Sequence, residues 1–275
     1  MRSIQRPAGA TAGATAGTTA AALAVAIVLV MFVPATPLHA LTGREVAERM
    51  DSRDMGETTH AMVEMRLVNA RGETRTRAIE QYGKDTPEGM RNVIVFHRPA
   101  SVEGTRFLTV ENRGRDNDQW IYLPALGRVR RITGGESSDS FMGTDFTYDD
   151  IAGRDIDDYE YELLREERLG NRDTYVVESV PLPGTSSQYS RIVQYVDRES
   201  WIPVKIELYD RRGELLKVNR VHRMERVQGY WTIIENTMEN VQTGHRTELQ
   251  VRNFRYNREI PEGVFTVNFL ETGRP

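Results

Sequence analysis

The chain has 275 residues, of which 28% are charged and 39% hydrophobic, an ordinary globular balance that excludes a disordered, fibrous or many-span membrane protein. The first 40 residues hold Arg2 and Arg6 and no acid, so the remaining 235 carry 34 basic and 40 acidic side chains, net −6, which argues against sequence-independent nucleic-acid binding. There is no cysteine, which excludes disulfides, thiolate metal sites, a thiol nucleophile and a lipidated cysteine.

Arg2 and Arg6 form a short basic region, followed by an Ala/Thr/Gly stretch and an apolar run over residues 20–33. That run is shorter than the roughly 20 residues of a bilayer span and suits the core of an export signal. Pro34 and Pro37 end it, and Ala35 or Ala40 offers a cleavage point. Residues 1–40 are therefore expected to be a signal peptide, and residues 41–275 an exported, periplasmic domain.

Residues 42–51 predict a short amphipathic helix, with Thr42 as N-cap, Glu45 three residues on, and Val46 and Met50 sharing a face. Helical periodicity then nearly vanishes. Alternation over residues 62–68 and 74–82, around the polar turn Asn69-Ala-Arg-Gly72, predicts a hairpin. Further strands are predicted at 92–97, 105–110, 119–123, 128–132, 159–166, 174–180, 189–197, 202–210, 214–222, 230–241 and 246–254. In the last, Thr247, Leu249 and Val251 alternate with Arg246, Glu248, Gln250 and Arg252, the pattern of an antiparallel strand with one wet face. Turns such as Asp210-Arg-Arg-Gly213 link consecutive strands, and Pro203 suits an edge strand or a first strand position. No βαβ alternation occurs. A large bent antiparallel sheet with few helices would leave its apolar concavity incompletely filled, and a ligand could sit there.

Searching for catalytic chemistry finds no nucleophile elbow, zinc-protease motif, Walker A loop or dinucleotide fingerprint. His60, His97, His222 and His245 are isolated in sequence and read as strand-face or core residues, so neither metal nor cofactor is expected. Asp145, Asp149, Asp150, Asp155, Asp157 and Asp158 crowd one segment; a calcium loop or carboxylate pair competes with the favoured reading, a solvated acidic loop. Arg128, Arg130 and Arg131 fit either an anionic head group or partner, or that acidic run. Strand alternation puts Arg128 and Arg130 on one face and Arg131 on the other. Residues 120–151 interleave Trp120, Tyr122, Phe141, Met142, Phe146 and Tyr148 with Gly134, Gly135 and Gly143. Large apolar groups beside glycines suit a lid or mouth over an apolar cavity, against the plainer reading of a long loop packed as core.

These stretches also carry a family likeness. Pro99-Ala-Ser-Val-Glu-Gly-Thr105, Trp120-Ile-Tyr-Leu-Pro-Ala-Leu126, Ser140-Phe-Met-Gly-Thr-Asp-Phe-Thr-Tyr-Asp-Asp150 and Trp201-Ile-Pro-Val-Lys205 resemble the periplasmic outer-membrane lipoprotein-sorting family, in its LolA-like branch. The resemblance implies a mainly β fold, a single large curved antiparallel sheet forming an open, incomplete barrel with short helices covering its mouth. It implies a non-enzymatic, monomeric carrier that shields the acyl chains of a lipid or lipoprotein between two membranes. The alternative is an adaptor that binds an inner-membrane transporter through the same apolar surface. Without cysteine, the lipid-anchored acceptor type is excluded and a shuttle fits better.

Overall fold

The computed structural model describes residues 41–275. The apolar run 20–33 and the cleavage points at Ala35 and Ala40 lie outside the described residues. Every strand expected from alternation is present: β1 Thr58–Val68, β2 Thr74–Lys84, β3 Arg91–Arg98, β4 Arg106–Val110, β5 Asp118–Leu123, β6 Arg128–Arg131, β7 Tyr159–Leu169, β8 Arg172–Pro181, β9 Arg191–Asp197, β10 Pro203–Tyr209, β11 Leu215–Val227, β12 Tyr230–Asn240 and β13 His245–Tyr256. Among the described residues three short α-helices accompany them: α1 Gly43–Asp51, α2 Tyr148–Ala152 and α3 Val267–Thr272.

All thirteen strands join one antiparallel sheet in the order β6-β5-β4-β3-β2-β1-β13-β12-β11-β10-β9-β8-β7. Two meanders, β1–β6 and β7–β13, are thus joined by the pairing of β1 with β13, where Met65 lies opposite Leu249. The sheet is open and curved, with β6 and β7 as its free edges. Edge strands invite unwanted pairing; β6 has only four residues, three of them arginine, and β7 is dense in Glu and Arg, which discourages it. Pro203 takes the first position of β10, where its missing N–H removes least from the ladder.

The chain between the two edges, residues 132–158, crosses the inner face of the sheet. Its Phe141 is fully buried against Phe96, Phe107 and Tyr148, with ring centroids 5.0–5.9 Å apart. Phe146 enters a second cluster with Tyr159, Tyr189, Ile192, Leu208 and Met238. On the outer face, the C-terminal segment through α3 covers β3–β6, burying Phe265, Phe269 and Leu270 on Val93 and Leu108. Both faces of the first meander are thereby covered. On the inner face of β7–β10, the crossing segment brings Phe146 and Ile151 and α1 brings Val46 and Met50, and the gap between them sets the site.

Candidate functional site

Helix α1 starts as its sequence predicts. Thr42 accepts from the Glu45 backbone N–H, and the Glu45 side chain accepts from the Thr42 N–H in return. Gly43 lies so close to β7 that an added Cβ would come within 2.6 Å of the Glu162 backbone, so the helix start fits only glycine. Val46 is fully buried against Tyr175, Val177 and Val196, with Met50 packed beside them.

Beneath the last turn of α1 the packing opens into a cavity of about 270 Å³ lined by Ala47, Met50, Ile156, Tyr161, Ile192 and Trp201. Trp201 adopts φ +56°, a left-handed conformation that costs a bulky residue energy. Tyr175 stacks on its ring at 5.6 Å and Arg49 lies 4.9 Å from its centroid, which fixes this wall. A wider cleft of about 1010 Å³ opens at the same end and shares Met50, Asp51, Arg53, Arg154 and Ile156 with the first cavity. A third, of about 370 Å³, is polar and lies where β6 ends and β7 begins, between Arg131, Asp149, Tyr159 and Tyr189.

Arg154 borders all three. It is held by Asp150 at 2.7 Å, whose carboxylate also accepts from Lys217 Nζ at 3.2 Å, the Tyr189 hydroxyl at 3.0 Å and the Thr147 N–H at 3.0 Å. Burial alone would push the Asp150 carboxyl up; the Arg154 and Lys217 charges and these hydrogen bonds outweigh it and hold the group below its ordinary value. Burial and the neighbouring Asp150 raise the Tyr189 phenol, so it stays a neutral donor. A second polar anchor fastens the same crossing segment: Asp145 accepts from Thr247 Oγ1 at 2.7 Å and contacts His245 Nδ1 at 2.8 Å.

The favoured expectation of a solvated acidic loop therefore needs correcting. Asp145 and Asp150 are buried, paired fasteners, because a segment laid across an apolar face must bring counter-charges for any carboxylate it buries. Asp155 instead caps a short 3₁₀ turn, accepting from the Asp157 N–H, and also accepts from the Gly114 N–H. Among the described residues, no group of three or more His, Asp or Glu side chains could hold a metal ion.

The aromatic candidates do not gather in one place. Phe141, Met142 and Tyr148 pack on the inner face of β1–β5, and Phe146 packs further along that face. Trp120 and Tyr122 lie on the opposite face of β5, in the cluster covered by α3. None of the six lines the three cavities described. Of the arginines, Arg131 borders the polar cavity and pairs with Asp118, Arg130 pairs with Glu136 at 2.6 Å, and Arg128 is exposed at the edge. Neither ion pair involves the Asp149–Asp158 run. Arg130 sits opposite Ile121 and Arg131 opposite Trp120, so they occupy the two faces expected. Sequence reading missed the cavity wall under α1 and Arg53, Arg154, Tyr189 and Lys217. One signal existed for Lys217: a lysine at an inward register, opposite the buried Leu208.

The geometry can be set beside known proteins. An outer membrane lipoprotein-sorting protein domain from Vibrio parahaemolyticus superposes with a TM-score of 0.79 at 34% identity, covering 83% of this chain and 98% of that one. The chain belongs to the outer-membrane lipoprotein-sorting family. A DUF1329 family protein from Desulfovibrio piger matches equally well, at TM-score 0.79, 32% identity and 83% and 97% coverage. A LolA superfamily protein from Nitrosomonas europaea, at 23% identity and TM-score 0.66 over 84% and 100%, shares the fold. A family model described only as an uncharacterized protein matches residues 88–272. Among curated proteins there is no match. In this chain, the β6-to-β7 crossing segment and α1 together cover the inner face, and the 270 Å³ cavity and the wide cleft lie where the two meet.

Proposed function

We propose that this chain is a periplasmic carrier that shields the acyl chains of a lipid or lipoprotein between the inner and outer membranes. The observation that carries this reading is the cavity between α1 and the inner face of an open sheet, where Met50, Ile156, Tyr161, Ile192 and Trp201 line it together with Asp51, Arg53 and Arg154. Its 34%-identical relative, an outer membrane lipoprotein-sorting protein domain, supports it, as does the absence of cysteine for a lipid anchor. Among the described residues, no helix is long and apolar enough to cross a membrane. On this reading the chain is a binding protein and not an enzyme.

A volume of 270 Å³ lies at the small end of ligand pockets, about 300–1,000 Å³, so a multi-chain cargo needs more room. In our reading, the crossing segment with Phe141, Met142, Phe146 and Tyr148 is a plug that yields on loading. Met142 at φ +53° and glycines at 143 and 153 give it strained or permissive joints. Arg128 and Arg130 on one face of the β6 edge then stand ready for an inner-membrane transporter, with Arg131 on the other face.

Single-tryptophan variants test the cavity. Delipidated protein retaining only Trp201 should be quenched by a phospholipid brominated on its acyl chains, and protein retaining only Trp120, under α3, should not. Lack of quenching at Trp201 with lipid bound, or failure of the parent to bind lipid at all, would remove the carrier reading.

A further inference from the structure

Arg53, just past the C-terminal turn of α1, borders the 270 Å³ cavity, the 1010 Å³ cleft and a further rim hollow of about 650 Å³ beside Trp231. It is half-buried and has no carboxylate partner among the described residues. One nitrogen donates to the Trp231 carbonyl at a long 3.4 Å, another to the Met55 sulfur at 3.2 Å. Of the other arginines at this end, Arg226 pairs with Glu199 at 3.3 Å and Arg154 with Asp150, while Arg49 lies over the Trp201 ring. A desolvated guanidinium with only neutral, weak acceptors is costly, and here burial pulls it below its ordinary value. A second donor nearby lacks a partner. The indole N–H of Trp231, which lines the same hollow, is buried with no acceptor. Beyond Arg53 the charge reverses: Asp51, Asp54, Glu57, Asp85 and Glu111 line the wide cleft.

This layout reads as a slot with one wall of apolar side chains, then a cation without a carboxylate partner, then a carboxylate rim. A fatty acid would satisfy the first two and be repelled by the third. We infer that Arg53 receives the phosphate of a zwitterionic phosphodiester head group, with the amine end of that head group directed to the carboxylates of the cleft and the acyl chains entering by the cavity under α1, which widens as the crossing segment yields. The planar guanidinium fork matches two phosphate oxygens, and bonds of this charge-assisted kind are about twice as strong as neutral ones. The inference rests on the carrier reading and adds the class of cargo.

Delipidated protein is titrated with phosphatidylethanolamine, phosphatidylglycerol and diacylglycerol of identical acyl chains, with binding followed by native mass spectrometry. The parent should prefer phosphatidylethanolamine over diacylglycerol by about tenfold or more, with phosphatidylglycerol between them. Arg53→Gln should bind phosphatidylethanolamine no better than diacylglycerol, while its affinity for diacylglycerol stays at the parent's. Equal binding of all three lipids by the parent overturns the head-group site and leaves the carrier standing; this comparison needs no variant to fold. Binding of none overturns both. Loss of all lipids alike in Arg53→Gln makes Arg53 a structural residue and overturns the site. Free phosphoethanolamine binding as tightly as the lipid would overturn the lipid source and point to a soluble ligand.

Discussion

Asp150 shows how one buried carboxylate acquires both its stability and its pH response from neighbours distant in sequence. It gathers Arg154, Lys217 and Tyr189 around it, with its side chain and that of Lys217 almost wholly buried. Breaking such a pair from one side leaves an uncompensated charge, so Asp150→Ala should lose about 3–5 kcal/mol by urea unfolding at neutral pH. A loss near zero would mean that the network carries no strain when opened. The pH sign follows from the direction of the shift. The folded carboxyl sits below its unfolded value, so its stabilisation is fully present above the ordinary carboxylate range and is lost as pH falls through the depressed value. Asp149 has the opposite sign, since burial raises it and its contribution fades as pH rises. Parent protein should therefore lose stability in acid more steeply than Asp150→Asn, and equal slopes would contradict this assignment. Arg128 and Arg130 differ in kind, being exposed or half-exposed at an edge. Replacing both with Gln should move the melting temperature by no more than about 2 °C. If they contact cargo or transporter, the same variant should slow lipid transfer; a larger melting shift with normal transfer would make them structural.

The crossing segment is the element on which stability and loading meet. Phe141 is fully buried among three other aromatic rings, so Phe141→Ala should cost about 3–5 kcal/mol in equilibrium unfolding. A cost below about 1 kcal/mol would show that the segment leaves the face readily even without cargo. Whether it leaves during loading is a separate question. The chain has no cysteine, so a disulfide introduced at Asp145 and Thr247, whose side chains touch at 2.7 Å, would tie the segment to β13 without rival pairings. Oxidised protein should take up single-chain lysophosphatidylethanolamine but not a diacyl lipid, and reduction should restore diacyl uptake. Equal uptake in both states would mean that the plug stays in place. At α1 the capping box is a local device, and Thr42→Ala should lower stability by about 1 kcal/mol, read as a small melting shift. That change should also weaken lipid binding modestly, because α1 roofs the cavity.

At the scale of the molecule, elements were more legible in the sequence than their assembly. Alternation identified the thirteen strands because a half-buried antiparallel strand must repeat apolar side chains every second residue; Thr247, Leu249 and Val251 face inward as their spacing required. The Thr42 to Glu45 spacing similarly located α1, since capping is a contact between near neighbours. The run from Trp120 to Tyr148 was rightly marked as unusual, but its composition could not show which face each ring would take. Trp120 and Tyr122 follow the pleat of β5 outward to α3, whereas Phe141 and Tyr148 lie on the inner face with the crossing segment. The buried carboxylates were misread for a related reason: nothing local distinguishes Asp150 from Asp157, and only the approach of Lys217, 67 positions away, turns one into a fastener. The cavity under α1 is likewise a gap left between a helix and strands that meet only after the sheet has curved. Sequence alone determined the pieces governed by short-range periodicity, capping and turn chemistry, together with the family likeness. Tertiary structure decided the faces, the charge pairs and the empty space, because each depends on distances between residues that the chain brings together only by folding.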